Sequence, residues 1–115
     1  MIKYTVIFPI QYNDGRWVEN DIIWDFEFEV VKIIGGISRR GIFRANAKIY
    51  GKWKEPGSEI LYQDQSLEFF IAMETEEQLQ QVEAVVQKYM KKLGQRSYYR
   101  EIDRNLDIAI VPVGY

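Results

Sequence analysis

The chain predicts an α+β fold of the ferredoxin-like βαββαβ kind, a sandwich of one antiparallel sheet with two helices on one face. Three observations carry that prediction. Two windows, 20–34 and 75–93, repeat apolar residues at the three-and-four spacing of amphipathic helices. Two long β-branched and aromatic segments flank Glu55-Pro56-Gly57-Ser58, whose Pro-Gly pair suits a type II turn and a hairpin. The elements then run strand, helix, two strands, helix, strand along 115 residues, enough for one domain spanning 1–115.

Taken in order, Lys3 to Gln11 is a β-branched and aromatic strand that Pro9 places at an edge or near its end. Asn13-Asp14-Gly15 is a turn. The next segment has two periods. Trp24-Asp25-Phe26-Glu27-Phe28-Glu29-Val30 alternates as a strand would, while Ile22, Ile23, Phe26, Val30, Ile33 and Ile34 recur as a helix would. Length decides for a helix over 20–34, capped by Asn20 and stopped by Gly35-Gly36.

Gly41 to Trp53 reads as a long strand, and Ile60 to Met73 as its return, with Leu67, Phe69, Ile71 and Met73 on one side. Thr75-Glu76-Glu77-Gln78 is a capping box that opens the second helix. Leu79, Val82, Val85, Val86, Tyr89, Met90 and Leu93 form its apolar stripe. Acidic residues lead this helix, Lys88, Lys91 and Lys92 trail it, and Gly94 ends it, as the macrodipole favours. Segments 97–102 and 106–111 read as strands around Asp103-Arg104-Asn105, the second being an extra C-terminal strand.

The chain contains neither histidine nor cysteine. That removes Ser-His-Asp and Cys-His nucleophile systems, the usual zinc sites and every disulfide. No metal site and no cofactor is expected. The chain begins with a short apolar strand that lacks the layout of a signal peptide, and no segment reaches membrane-spanning length, so a cytoplasmic protein away from membranes is the expectation. A net charge of −2 gives no overall attraction to nucleic acid.

Several constellations could carry function. Arg39, Arg40, Arg44, Lys48 and Lys52 form a basic face, with Tyr50 among them, that could hold a nucleic-acid backbone. A solvated or lysine-guarded edge is the plainer account, so nucleic acid is an unfavoured partner. Asp64 and Glu68 share a strand face and could act as acid and base, although cross-strand pairing with Arg44, Lys48 and Lys52 explains them more simply. Tyr98 and Arg100 follow a helix end, where they could line a pocket mouth; strand alternation would instead bury one of Tyr98 and Tyr99 and expose the other. Trp53 belongs with Trp17 and Trp24 as a packing or interface anchor, with ligand stacking the minority role.

Certain motifs resemble a small bacterial domain-of-unknown-function family. Tyr50-Gly51-Lys52-Trp53, then Gly57, then Gln65-Ser66 before an apolar strand is similar to its Gly-x-Trp, glycine turn and x-Ser strand. Tyr89, then Leu93-Gly94-Gln95 and Ser97, resembles its helix exit, and Trp24, Phe28 and Gly36-Ile37-Ser38 its first helix and exit. Departures occur at Asp64, where Glu is usual, and at Gly35-Gly36-Ile37, where Arg-Phe-Pro is usual. The resemblance implies the same fold and adds no activity.

Together these readings lead to a non-catalytic ligand-binding or protein-interaction module, homo-oligomeric through the outer sheet face around Ile42, Tyr50, Tyr62 and Phe70. A small-molecule ligand would meet Tyr98, Arg100, Trp53, Asp64 or Glu68. The first alternative is a cofactor-independent enzyme of the dimeric ferredoxin-like barrel type. The second is nucleic-acid binding through the 39–54 face.

Overall fold

The computed structural model describes residues 1–40, 49–54 and 61–105, with side chains described at 1–37 and 66–105. Its elements are β1 (Ile2–Pro9), α1 (Asn20–Ile34), β2 (Ser38–Arg40), β3 (Ile49–Lys54), β4 (Leu61–Met73), α2 (Glu76–Lys92) and β5 (Arg100–Asp103). This is an α+β architecture with an antiparallel sheet and two helices. The strands lie in the order β2-β4-β1-β5, and β3 pairs with β4 beyond β2 on the same side.

β1 is an interior strand, hydrogen-bonded to β4 from Ile2↔Met73 to Pro9↔Ser66 and to β5 from Lys3↔Asp103 to Val6↔Arg100. Pro9 lacks an N–H, so it fits at the end of this strand, where the ladder to β5 has already stopped. Alternation sorts the side chains: Ile2, Tyr4, Val6 and Phe8 are buried, as are Leu67, Phe69, Ile71 and Met73 of β4. The register places both sets on one face.

Both helices cover that face. Phe26 of α1 lies with its ring centroid 4.7 Å from Phe8, 5.2 Å from Phe69 and 5.6 Å from Tyr89 of α2. These four rings tie sheet, first helix and second helix together, mostly in tilted or edge-on arrangements that suit the aromatic quadrupole. Truncating fully buried Phe26 to Ala would cost about 3–5 kcal/mol, from lost transfer energy and the cavity left behind.

The helix ends follow their sequence signals with one correction. α2 starts on the expected capping box: Thr75 accepts from the Gln78 backbone N–H at 3.1 Å, and the Gln78 side chain accepts from the Thr75 N–H at 3.2 Å. It ends in a Schellman arrangement, with Gly94 at φ +73° and bonds from Gly94 N–H to Lys91 O and from Gln95 N–H to Met90 O. α1 ends on Gly35 at φ +81°. Its N-cap is Glu19, not Asn20, and no side chain caps it; Asn20 is already helical, and the Glu19 carboxylate instead accepts from the Tyr12 hydroxyl.

Three strand expectations are also corrected. The edge partner of β4 begins at Ser38, earlier than the expected Gly41, because Ser38–Arg40 pairs with Glu68–Phe70. The last described strand covers Arg100–Asp103 and not 97–102: Gly94 and Gln95 spend their N–H groups on closing α2, and the chain joins β1 only later. Cross-strand ion pairing of Lys52 with Asp64 is not the register, which sets Lys52 opposite Gln63 and Asp64 opposite Gly51. Residues 41–48, the Pro-Gly turn and the 106–111 strand lie outside the described residues.

Candidate functional site at the β1–β5–α2 junction

Pairing of β5 with β1 brings Ile102 beside Tyr4 and Arg100 beside Val6, on the helix-covered side of the sheet. α2 lies over the same side. Its position 83 falls one turn beyond Leu79 and just before Val86, at the margin of the buried stripe, and there the chain carries a carboxylate. Arg100 Nε donates to Glu83 Oε1 at 2.6 Å, and the Tyr4 hydroxyl donates to Glu83 Oε2. Each oxygen of one carboxylate is therefore held by a different strand.

Burial grades steeply across this cluster. Tyr4 is fully buried, the Glu83 side chain is 20% exposed and that of Arg100 is 43% exposed. Burial first, then the hydrogen bond and charge of Glu83, push the Tyr4 hydroxyl far above the ordinary phenol range. Tyr98 is half-buried against the core, and burial also raises its hydroxyl, with Glu83 adding to the rise and Gln87 opposing it. Tyr4 is thus a fixed neutral donor, with the Glu83–Arg100 pair reaching from it to solvent.

A carboxylate and a guanidinium held side by side at a half-open edge suit a zwitterionic ligand. The guanidinium can take a carboxylate in a fork, and the carboxylate can face an ammonium or another onium centre. Such a pair can also stabilise charge that moves during a reaction, because neither group has to reorganise.

Of the residues singled out in the sequence, the structure brings Tyr98 and Arg100 together here. Glu68 is not with them: its Cα pairs with Ile7 and Arg40, on the strand positions that alternate away from the buried set. Trp53 and Lys52 lie in β3 opposite Tyr62 and Gln63, on the far side of β4 from β5, and Asp64 lies in β4 opposite Gly51, with β1 between β4 and β5. Arg39 and Arg40 are in β2, whereas Arg44 and Lys48 fall outside the described residues. Tyr99 is 58% exposed and hydrogen-bonds Glu101.

Glu83 and Tyr4 are the partners that sequence reasoning missed. The available signal was an acid four residues after Leu79 and three before Val86, where the helical period turns inward. Among the described residues, no group of three or more acids is placed to hold a metal ion. No helix among them is long and apolar enough to cross a membrane.

Comparison with known proteins narrows the reading. No family model matches the chain, and no curated protein sequence matches it. Among solved structures, a phage SAM lyase in complex with S-methyl-5'-thioadenosine matches with a TM-score of 0.66 and 16% identity, over 89% of this chain and 79% of that one. A phage SAM lyase in its apo state matches with a TM-score of 0.62 and 15% identity, over 89% of this chain and 78% of that one. The expectation of a non-catalytic module is corrected by this finding, because these neighbours are enzymes. The enzyme alternative fits them better.

Proposed function

We propose that the chain is a cofactor-independent enzyme that cleaves a sulfonium substrate of the S-adenosylmethionine type and releases S-methyl-5'-thioadenosine. The observation that carries the reading is the match over 89% of the chain to a lyase holding that thioether. The strand order, with β1 between β4 and β5, supports assigning the frame to the ferredoxin-like class. Self-association, as in dimeric enzymes of that class, belongs to the same reading.

The chemistry suits a chain without histidine or cysteine. A sulfonium sulfur keeps the electron pair of the breaking carbon–sulfur bond and departs as a neutral thioether. The leaving group therefore needs no general acid, nucleophilic thiol or metal. The carbon left behind is closed within the same molecule by the substrate's own carboxylate, whose oxygen forms the new carbon–oxygen bond as the carbon–sulfur bond breaks. This path takes up no water. What the protein supplies is orientation, exclusion of water and a fixed field.

In this reading Arg100 holds the substrate carboxylate and Glu83 faces the cationic end, with Tyr4 fixing the Glu83 carboxyl plane from below. Tyr98 supplies an aromatic wall beside them. The test is incubation of the purified chain with S-adenosylmethionine, with chromatographic detection of methylthioadenosine and a search for solvent oxygen in the co-product. Methylthioadenosine release without uptake of labelled oxygen is expected, and Glu83→Gln should lose about 100-fold or more in kcat/KM. Absence of methylthioadenosine with enzyme in excess over substrate sinks the proposal.

A further inference from the structure

The face of α1 turned away from the sheet is as informative as its buried one. Ile23, Phe26 and Val30 enter the core, yet Trp24, Phe28 and Val31 are 55%, 63% and 38% exposed. A helix apolar on both sides has a second surface to cover. Lys32 lies over the Phe28 ring with its Nζ 5.0 Å from the centroid, which shields that ring only partly.

We infer that this face is an isologous interface, and that its occupant is α1 of a second copy of the chain, packed antiparallel about a two-fold axis through Phe28. The argument is self-complementarity. At 100° per residue, Trp24 and Val31 fall on one flank of Phe28, at i−4 and i+3. Asp25 and Lys32 fall on the other flank, at i−3 and i+4. A two-fold axis across the helix reverses direction along it but keeps each flank on its own side. Trp24 then meets the second copy's Val31, and Asp25 meets the second copy's Lys32. Each contact occurs twice, and Phe28 packs on its own counterpart at the centre.

No flank faces an unlike one: apolar meets apolar, and acid meets base. The arrangement also sets the helix dipoles antiparallel, the favourable sense. The interface is a single 15-residue helix pair, smaller than the roughly 800 Å² per partner of a standard stable complex. An interface of that size belongs with weak association, which sets the concentration range of the test. This inference uses only α1 and does not depend on the enzymatic reading.

Sedimentation equilibrium of the full chain from micromolar to millimolar concentration tests it, with circular dichroism to confirm that each variant is folded. The wild type is expected to shift from monomer to dimer. Phe28→Glu sets two like charges on the axis and is expected to stay monomeric throughout. Asp25→Lys and Lys32→Asp, each alone, should weaken the dimer about tenfold or more by placing like charges together. The double exchange should restore wild-type affinity to within about threefold. A wild type monomeric at millimolar concentration, self-association unaffected by Phe28→Glu, or a double exchange no better than the singles would each overturn the inference. The same double exchange should leave methylthioadenosine formation per folded chain unchanged if the β1–β5–α2 cluster alone carries activity.

Discussion

Two arginines, one opening β5 and one just past its end, reach two glutamates of the same helix, and the pairs differ in almost everything but chemistry. Arg100 meets Glu83 with side-chain exposures of 43% and 20%, whereas Arg104 meets Glu76 with 52% and 57%. The outer pair makes two hydrogen bonds, from Nε to Glu76 Oε1 and from Nη2 to Oε2. The inner pair makes one, and the second Glu83 oxygen belongs to a buried tyrosine. Forked geometry does not make the outer pair the better candidate for a site. Water competes for it on all sides, while the inner pair has a fixed, dry donor behind it.

The largest expected contrast is in turnover. Glu83→Gln should remove about 100-fold or more of the methylthioadenosine-forming activity, and Glu76→Gln should leave it within about twofold. Equal losses at both positions, measured as kcat/KM, would erase the distinction between the pairs.

Next comes stability. Arg100→Ala strips the cation from a mostly shielded carboxylate and should cost about 1–3 kcal/mol in denaturant unfolding. Arg104→Ala, at the solvent-open pair, should leave the unfolding midpoint unmoved.

Alkaline unfolding sharpens the comparison further. Tyr4 ionises far less readily in the folded chain than in the unfolded one, so its contribution is complete below the ordinary phenol value, about 10. It is lost as pH rises beyond that value. Tyr4→Phe should destabilise the protein by about 1–2 kcal/mol near neutrality and flatten this alkaline limb. A limb as steep as wild type would mean that other tyrosines set it.

The smallest effect belongs to the outer pair under acid. Arg104 holds the Glu76 carboxyl below its usual range. The stabilisation is present above the ordinary carboxylate value and fades as pH falls through the lowered one. Glu76→Gln should soften the acid limb slightly at low salt and not at high salt, as followed by tryptophan fluorescence.

The parts of this structure that were legible in the sequence are the ones encoded locally. The Thr75–Gln78 capping box, the glycine ends of both helices and the alternating face of β4 each need only a few neighbouring residues to be specified, and each is where it was expected. The cap of α1 lies one residue before the expected Asn20, at Glu19, whose backbone is extended and whose carboxylate accepts from the Tyr12 hydroxyl and not from the helix N–H groups. The candidate site was half legible. Tyr98 and Arg100 stood out for their position after a helix, but Glu83 and Tyr4 become their neighbours only through the β1–β5 register and the seating of α2. Those are relations between segments some 80 residues apart in the case of Tyr4 and Glu83, whose separation is 79. No local pattern encodes them.

Lying between β4 and β5, β1 takes both its hydrogen-bonding neighbours from the far half of the chain. During synthesis it emerges well before either, with both ladders unfilled and an apolar flank bare. Contacts of such long span slow folding, and until they form the unpaired strand is open to pairing with another chain. The nascent chain must stay soluble until Asp103 has cleared the ribosome, and only then can the two sides of its first strand close.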